Sequence, residues 1–392
     1  MPEGMRSVQV VGVGYTKVGE HWDRSLTDLM AEASLAAIED AGVERVDGVY
    51  VACSFCEVTS NQAGISALVA EALGLRSVYG VRVEGGEASG LMALAEAYAA
   101  VASGLSDFAL VVGGEKLSDM LPDEFNSVHS MTLPYETMGY AGVTPAPVAA
   151  LLYRTYLERY EMPQEFVAQF PVLMHSNAEG VGHAQFPFKV RLEDVLGSPE
   201  VAPPLRRLEC FAPGDGAAAV VLASGDSERK RASGEAVRIG GISLRTDYVS
   251  PFDREDPLFM TSVALSVDEA LLRSGISRGD LDVLELHDSF SIMAPLILES
   301  GGFSKRSESG QDLKSGKYAM GGELPINAFG GLKARGHPIG ATALYQVAEV
   351  YLQLTGRAGK RQVDGARAGA AISVSGFGAI AGTAVLLAGD RE

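Results

Sequence analysis

Apolar residues along this chain fall into two registers that alternate. Short runs without a polar face, Ser7 to Val13, Val49 to Cys53, Val78 to Val83, Phe108 to Val112 and Ala217 to Leu222, read as strands buried on both sides of a sheet. Between them, a helical period predicts helices over Leu26 to Ala41 and Gly90 to Ala102. The order then returns. A β-type run, Ala236 to Ile242, precedes a helix over Ser262 to Ser274, and a helix over Ala341 to Leu354 leads to strands Ala370 to Val374 and Thr383 to Ala388. Gly42 and Gly275 stop the first helix of each set, as glycine does just past a helix end.

One stretch makes the repeat visible without a gap. Val46-Asp47-Gly48-Val49-Tyr50-Val51-Ala52-Cys53-Ser54-Phe55 aligns onto Leu281-Asp282-Val283-Leu284-Glu285-Leu286-His287-Asp288-Ser289-Phe290. Strands alternating with helices predict a layered α/β protein, and a unit present twice predicts two halves with a site at their junction. The first half spans 1–116 and resumes over 209–235; the second spans 236–392. Residues 117–208 fit neither half. They are rich in Met, Tyr, Pro and His, carry one helical pattern over Pro147 to Tyr160, and read as an insertion that covers a site or makes an oligomer contact.

Composition narrows the partners. The chain has 392 residues and a formal net charge of −18, which opposes nucleic acid or an anionic membrane surface as partner. An anionic ligand needs a local basic patch, for which Arg206-Arg207, Arg229-Lys230-Arg231 and the pair Lys333 and Arg335 are candidates. No apolar run reaches the length of a membrane span, and Met1 to Val10 lacks the apolar core of a secretory signal, so a cytoplasmic protein is expected. Cys53 and Cys56 form a C-x-x-C pair. A metal site of that type needs a second ligand cluster, none is apparent, and the buried strand leading into the pair favours a structural role; no metal site is expected. Gly12-Val13-Gly14 does not continue as a dinucleotide fingerprint, because the next glycine is Gly19 and the helix starts near Leu26.

Candidate chemistry lies in two loops. Val83-Glu84-Gly85-Gly86-Glu87-Ala88-Ser89-Gly90 closes a strand-like run and opens an Ala-rich helix, and Gly331-Leu332-Lys333-Ala334-Arg335-Gly336-His337-Pro338-Ile339-Gly340 is expected to do the same downstream. Free backbone N–H groups and the helix dipole at such a junction favour an anion, so Glu87 is expected to be ionised. His287 and His337 stand at strand or loop boundaries of the second half, where a histidine serves as general base or oxyanion donor. The remaining histidines, His21, His129, His175 and His183, have no comparable setting and read as background.

With further segments, Gly12-Val13-Gly14-Tyr15-Thr16-Lys17, Pro204-Leu205-Arg206, Asp215-Gly216-Ala217-Ala218-Ala219-Val220 and Gly330 to Thr342, these loops resemble the thiolases, above all the archaeal and sterol-carrier types. The resemblance spans essentially the whole chain. It implies a five-layered αβαβα fold of two duplicated halves with an insertion (loop) domain, a homodimer or larger assembly, and CoA thioesters as substrates with no permanently bound cofactor. By the same resemblance His337 matches the histidine that activates the nucleophile, and His287 the histidine that binds the thioester oxygen. Glu87 stands at the position of the nucleophilic cysteine, Ser289 at one that is often cysteine, and the glycine-rich loop Ser375-Gly376-Phe377-Gly378 has no thiol. Gly336, Lys333, Gly376 and Gly378 fall in the vicinity of the CoA thioester.

Cysteine-dependent thiolysis needs an acyl-cysteine, which this chain does not form at that position. Retained oxyanion donors instead suit an enolate beside a thioester, with Glu87 as base in an aldol, retro-aldol or decarboxylation step. Glu87 as a nucleophile forming an acyl anhydride is a second use. The alternative of another class is a non-catalytic, acyl-CoA-binding subunit in which Glu87 imitates the thiolate charge. Archaeal-type thiolases also resemble subunits that work with a small OB-fold, zinc-ribbon protein, which the resemblance adds as a possible partner.

Overall fold

Branched and small apolar residues, which suit a pleat packed on both faces, form the centre of the computed structural model, which describes residues 5–225 and 237–389. The basic run Arg229-Lys230-Arg231, the start of the second β-type run at Ala236 and the 235/236 boundary lie outside the described residues. The first half runs β1 (Val8–Tyr15), α1 (Leu26–Ala41), β2 (Gly48–Ala52), α2 (Cys56–Thr59), α3 (Ile65–Ala72), β3 (Tyr79–Val83), α4 (Ser89–Ala102) and β4 (Phe108–Glu115). Next come α5 (Pro122–His129), α6 (Pro145–Tyr160), α7 (Glu165–Ala178), α8 (Leu192–Leu196), the small ribbon β5 (Glu200–Ala202) and β6 (Leu205–Arg206), and β7 (Gly216–Ser224). The second half runs β8 (Val237–Thr246), α9 (Thr261–Ser274), β9 (Val283–Glu285), α10 (Met293–Ser300), α11 (Ser309–Lys314), α12 (Thr342–Leu354), β10 (Ala368–Ser375) and β11 (Ile380–Ala388).

Nine strands share one mixed sheet in the order β3-β2-β4-β7-β1-β8-β11-β10-β9. β2 pairs in parallel with β3 and β4, and β9 with β10, while the remaining ladders are antiparallel. Reading outward from the β1/β8 junction, β1, β7, β4, β2 repeats as β8, β11, β10, β9. That junction is a short ladder, Gln9 to Arg238 and Val10 to Val237. Helices α4 and α12 each touch strands of both halves and lie between them, α1 and α3 cover the first half, and α9 covers β8 and β11. The layers are thus αβαβα.

Local chemistry explains the helix ends. Ser25 and Asp28 close a reciprocal capping box on α1, and Gly42 and Gly275 adopt φ of 63° and 77° past α1 and α9. The glycines of Gly12-Val13-Gly14 seat α1 on β1, since a Cβ on Gly14 would stand 2.3 Å from the Ala33 carbonyl oxygen.

Two expectations need correction. The His337 loop does not close a strand; in place of a partner to β3 there is an isolated parallel bridge, Leu284 to Ile326. Backbone groups there are committed to side chains instead, with the Leu286 N–H on Asn327 Oδ1 (2.7 Å) and the Leu332 N–H on Asp288 Oδ1 (2.7 Å). Residues 117–208 hold α5, α7 and α8 besides the expected α6. Pro171 inside α7 reads as a helix stop in sequence, yet the helix continues through it.

Candidate active site

Glu87 sits in a single 3₁₀ turn, Gly86–Ala88, between β3 and α4. Its loop is pinned from both halves. Ser54 and Ser89 donate to the Gly86 carbonyl at 2.7 and 2.6 Å. From β10, Ser375 Oγ accepts the Glu87 N–H at 3.2 Å and Ser373 Oγ donates to its carbonyl at 3.3 Å. The side chain is buried among three imidazoles. Oε1 lies 3.0 Å from His129 Nε2 and 3.3 Å from His337 Nε2, and Oε2 lies 3.9 Å from His287 Nε2.

Two buried carboxylates hold the histidine-bearing segments in place. Asp288 accepts the N–H groups of Leu332 (2.7 Å) and Lys333 (3.3 Å) and the Asn327 amide (2.8 Å), which fixes the turn Gly331–Arg335 that leads to His337. Gly331, at φ 57°, is required there, because a Cβ would meet Asp288 Oδ1 at 2.4 Å. Glu115 at the end of β4 accepts from the N–H groups of Ser54, Phe55 and Gly340 at 3.0, 3.1 and 3.0 Å, tying the two halves together behind the site. His337 packs edge-on against Phe211 (4.6 Å between centroids) and against His287 (5.2 Å).

Burial favours a neutral Glu87, but the hydrogen bonds from His129 and His337 outweigh it and hold the carboxyl well below its ordinary range. His287 is pushed down to about 3 by burial, against the pull of Glu87. His337 is also lowered by burial. The centre therefore holds a carboxylate facing imidazoles of which His287 and His337 are neutral at neutral pH. A carboxylate only accepts, so Nε2 of His337 carries the proton, and Nδ1, 2.6 Å from Thr342 Oγ1, accepts from that hydroxyl.

The other residues singled out in sequence fall at varying distance from this centre. Ser289 is buried one residue beyond Asp288, with its carbonyl accepting from the Phe211 N–H (2.8 Å); no hydrogen bond joins its hydroxyl to Glu87. Gly336, at φ 116°, makes the turn directly before His337. Gly376 and Gly378, at φ 56° and 99°, shape the loop after Ser375. Lys333 donates from Nζ to the Cys210 carbonyl at 2.6 Å, its pKa pushed down to about 8 by burial. Arg335 does not join it in a basic patch: it is fully buried, with Nε 3.2 Å from Glu349 Oε1. Arg206 pairs with Glu200, while Arg207 reaches a cavity.

That cavity, of about 680 Å³, is walled by Phe125, Phe186, Phe188, Phe211 and Phe290, with Lys333, His175 and His129 as polar points. His129 links it to Glu87. His129, which the sequence leaves among the background histidines, is thus a member of the site. The available signal was the four-residue spacing of Phe125 and His129, whose rings stack at 5.4 Å on one face of α5. The helix carrying that spacing is short and mostly polar, so no period announces it. Cys53 and Cys56 are buried away from the cavity, with Cys53 Sγ donating to Glu115 Oε1 at 3.4 Å.

Comparison with known proteins agrees with this architecture. The thiolase N-terminal domain matches residues 8–191, and the thiolase C-terminal domain-like family matches residues 244–388. An acetyl-CoA acetyltransferase of Methanothermobacter thermautotrophicus is 39% identical over 379 residues, covering 96% of this chain and 98% of the relative. Human sterol carrier protein 2 is 32% identical, covering 93% of this chain and 69% of its own. Among solved structures, the Ltp2-ChsH2(DUF35) aldolase superposes with a TM-score of 0.84 at 25% identity, over 98% of both chains.

Proposed function

This chain belongs to the thiolase superfamily, and from that premise we propose that it acts on acyl-CoA thioesters through an enolate, making or breaking a carbon–carbon bond without a cysteine nucleophile. The observation that carries this reading is the buried Glu87 carboxylate, 3.0 to 3.9 Å from three imidazole nitrogens. In this reading Glu87 takes the place of the nucleophilic cysteine and removes, or returns, a proton at the carbon next to the thioester. His287 and His337 offer N–H donors to the thioester oxygen as it gains enolate charge. Aldol, retro-aldol and decarboxylation steps all pass through that enolate.

The electrostatics couple binding to basicity. Hydrogen bonds from His129 and His337 keep Glu87 a weak base while the site is unliganded. A thioester oxygen that takes over the His337 N–H removes one of those bonds. Burial is then opposed by one hydrogen bond fewer, the carboxyl pKa rises, and the base strengthens once substrate is in place. The phenylalanine-walled cavity beside His129 gives the acyl group apolar room, and residues 117–208, which supply most of that wall, act as the covering domain. The likeness to the Ltp2-ChsH2(DUF35) aldolase supports an aldol-type step and a partner protein, for which we propose the small OB-fold, zinc-ribbon protein that the sequence resemblance implies. A homodimer or larger assembly completes the proposal.

Restoring a thiol tests the position of Glu87. Glu87→Cys, incubated with acetyl-CoA, is expected to gain the mass of one acetyl group in intact-protein mass spectrometry, while the wild type gains none. A folded Glu87→Cys variant that binds CoA yet stays unacylated contradicts the placing of Glu87 at the acyl-transfer position.

A further inference from the structure

We infer that His175, Gln185 and Lys333 form a polar subsite in the phenylalanine-walled cavity, which selects an apolar acyl group carrying a hydroxyl beyond the reacting carbons. The subsite presupposes the proposed use of this cavity for the acyl group. All three residues line it: His175 from α7, Gln185 from the segment that follows α7, and Lys333 from the turn Gly331–Arg335. Folding lays those segments side by side. The N–H groups of Gln185 and Phe186 donate to the carbonyls of Arg335 and Ala334 at 2.9 and 3.0 Å, and Lys333 Nζ stands 5.9 Å from the centre of the Phe186 ring. The side-chain partners of Glu87 are His129 and His337, with His287 beside them, so the subsite is separate from the groups that move the proton.

Atoms without partners decide the chemistry of the ligand. His175 is 1% exposed, and its Nδ1 lies 2.9 Å from the Phe188 carbonyl oxygen. A carbonyl only accepts, so the proton is on Nδ1. Burial and the charge of Lys333 push His175 down to about 4, which keeps the ring neutral. Its Nε2 is therefore an acceptor, and it has no hydrogen-bond partner. Gln185 gives its amide N–H to the Pro213 carbonyl at 3.2 Å, and its buried Oε1 is a second acceptor without a partner. Lys333 supplies the opposite polarity. Its Nζ spends one N–H on the Cys210 carbonyl and, among the described residues, pairs with no carboxylate.

Buried polar atoms left unpaired are costly, so a ligand that satisfies them is held more tightly than one that does not. A hydrocarbon end satisfies none of them. An ionised carboxylate would meet Lys333 but turn further lone pairs on His175 and Gln185. A hydroxyl donates one hydrogen bond and accepts others, so it is the smallest group that serves a bare acceptor and an ammonium together. Phe125, Phe211 and Phe290 take the apolar body of the same acyl group, and a cavity of about 680 Å³ holds one much larger than acetyl.

Isothermal titration of the full chain reads the subsite without turnover. The probes are plain acyl-CoAs from hexanoyl to dodecanoyl, with their ω-hydroxy and ω-carboxy counterparts. At the best-fitting length the ω-hydroxy thioester is expected to bind about tenfold tighter than the plain one. His175→Asn keeps a donor for the Phe188 carbonyl and removes the Nε2 acceptor, and Lys333→Met removes the ammonium. Each should bring the ratio close to unity, which a merely structural role would not do. The wild-type ratio needs no variant to fold. A wild-type ratio near unity at every length overturns the inference and leaves these atoms to the pantetheine arm that all the thioesters share. Tightest binding of an ω-carboxy thioester overturns the hydroxyl. A hydroxyl preference without α-proton exchange would keep the subsite and sink the enolate; exchange without the preference would do the reverse.

Discussion

Acid reaches this site through individual groups, and His287 is one of them. Its unfolded value is about 6.5, and in the fold burial takes it to about 3. Between those values the unfolded chain binds a proton that the folded one refuses, so stability falls as pH drops from about 6.5 toward 3. Glu87, held low, acts in the same direction but only below about 4.3, the ordinary glutamate value. His287→Asn is therefore expected to flatten the loss of stability between about pH 6 and 4.5, by an amount of order a few kcal/mol, in denaturant midpoints measured across pH. An acid limb unchanged by that substitution contradicts a neutral, buried His287. Residue by residue, sequence exposed the members of the site that sit in short motifs, Glu87 after paired glycines and His337 before proline. It could not expose His129, whose role depends on where a short polar helix ends. Nor could it separate Lys333 from Arg335, since which of two nearby cations meets Glu349 is decided by a turn three-dimensional contacts impose.

Elements were legible wherever packing demands a continuous apolar pattern. Strands β1, β4, β7 and β11 are buried along nearly their whole length, so their residues announce them. Helix α7 was hidden because Pro171 imitates a stop. The structure gives the Gly12-Val13-Gly14 glycines a packing role in the approach of α1 to β1. Gly14→Ala is expected to cost about 3 kcal/mol of stability, because the added methyl would stand 2.3 Å from a backbone oxygen. Gly19→Ala, with open space around its Cβ, is the matched control and should change little. Chemical denaturation of the two variants checks this; equal midpoints would show that α1 lifts freely from the strand.

At the scale of the whole molecule, duplication makes the centre. Each half contributes a strand end and a helix start, and the site forms where α4 and α12 begin. Glu115 binds the Gly340 N–H of one half from the end of β4 in the other, so the halves cannot part without exposing a buried carboxylate. The repeat was visible in sequence because both copies bury the same strand pattern. The short β1/β8 ladder that joins the two halves of the sheet was not, since two residue pairs leave no periodic trace. No helix among the described residues is long and apolar enough to cross a membrane. An enolate formed at Glu87 exchanges the α-protons of a bound acyl-CoA with solvent. The most direct measurement is exchange of the α-protons of acetyl-CoA and propionyl-CoA in deuterated water, followed by mass spectrometry with the small partner present. Exchange in the wild type that disappears in Glu87→Gln and in His337→Ala is the expected result. No exchange by wild type with acyl-CoA binding confirmed would contradict the claim and leave a non-catalytic, acyl-CoA-binding subunit as the function.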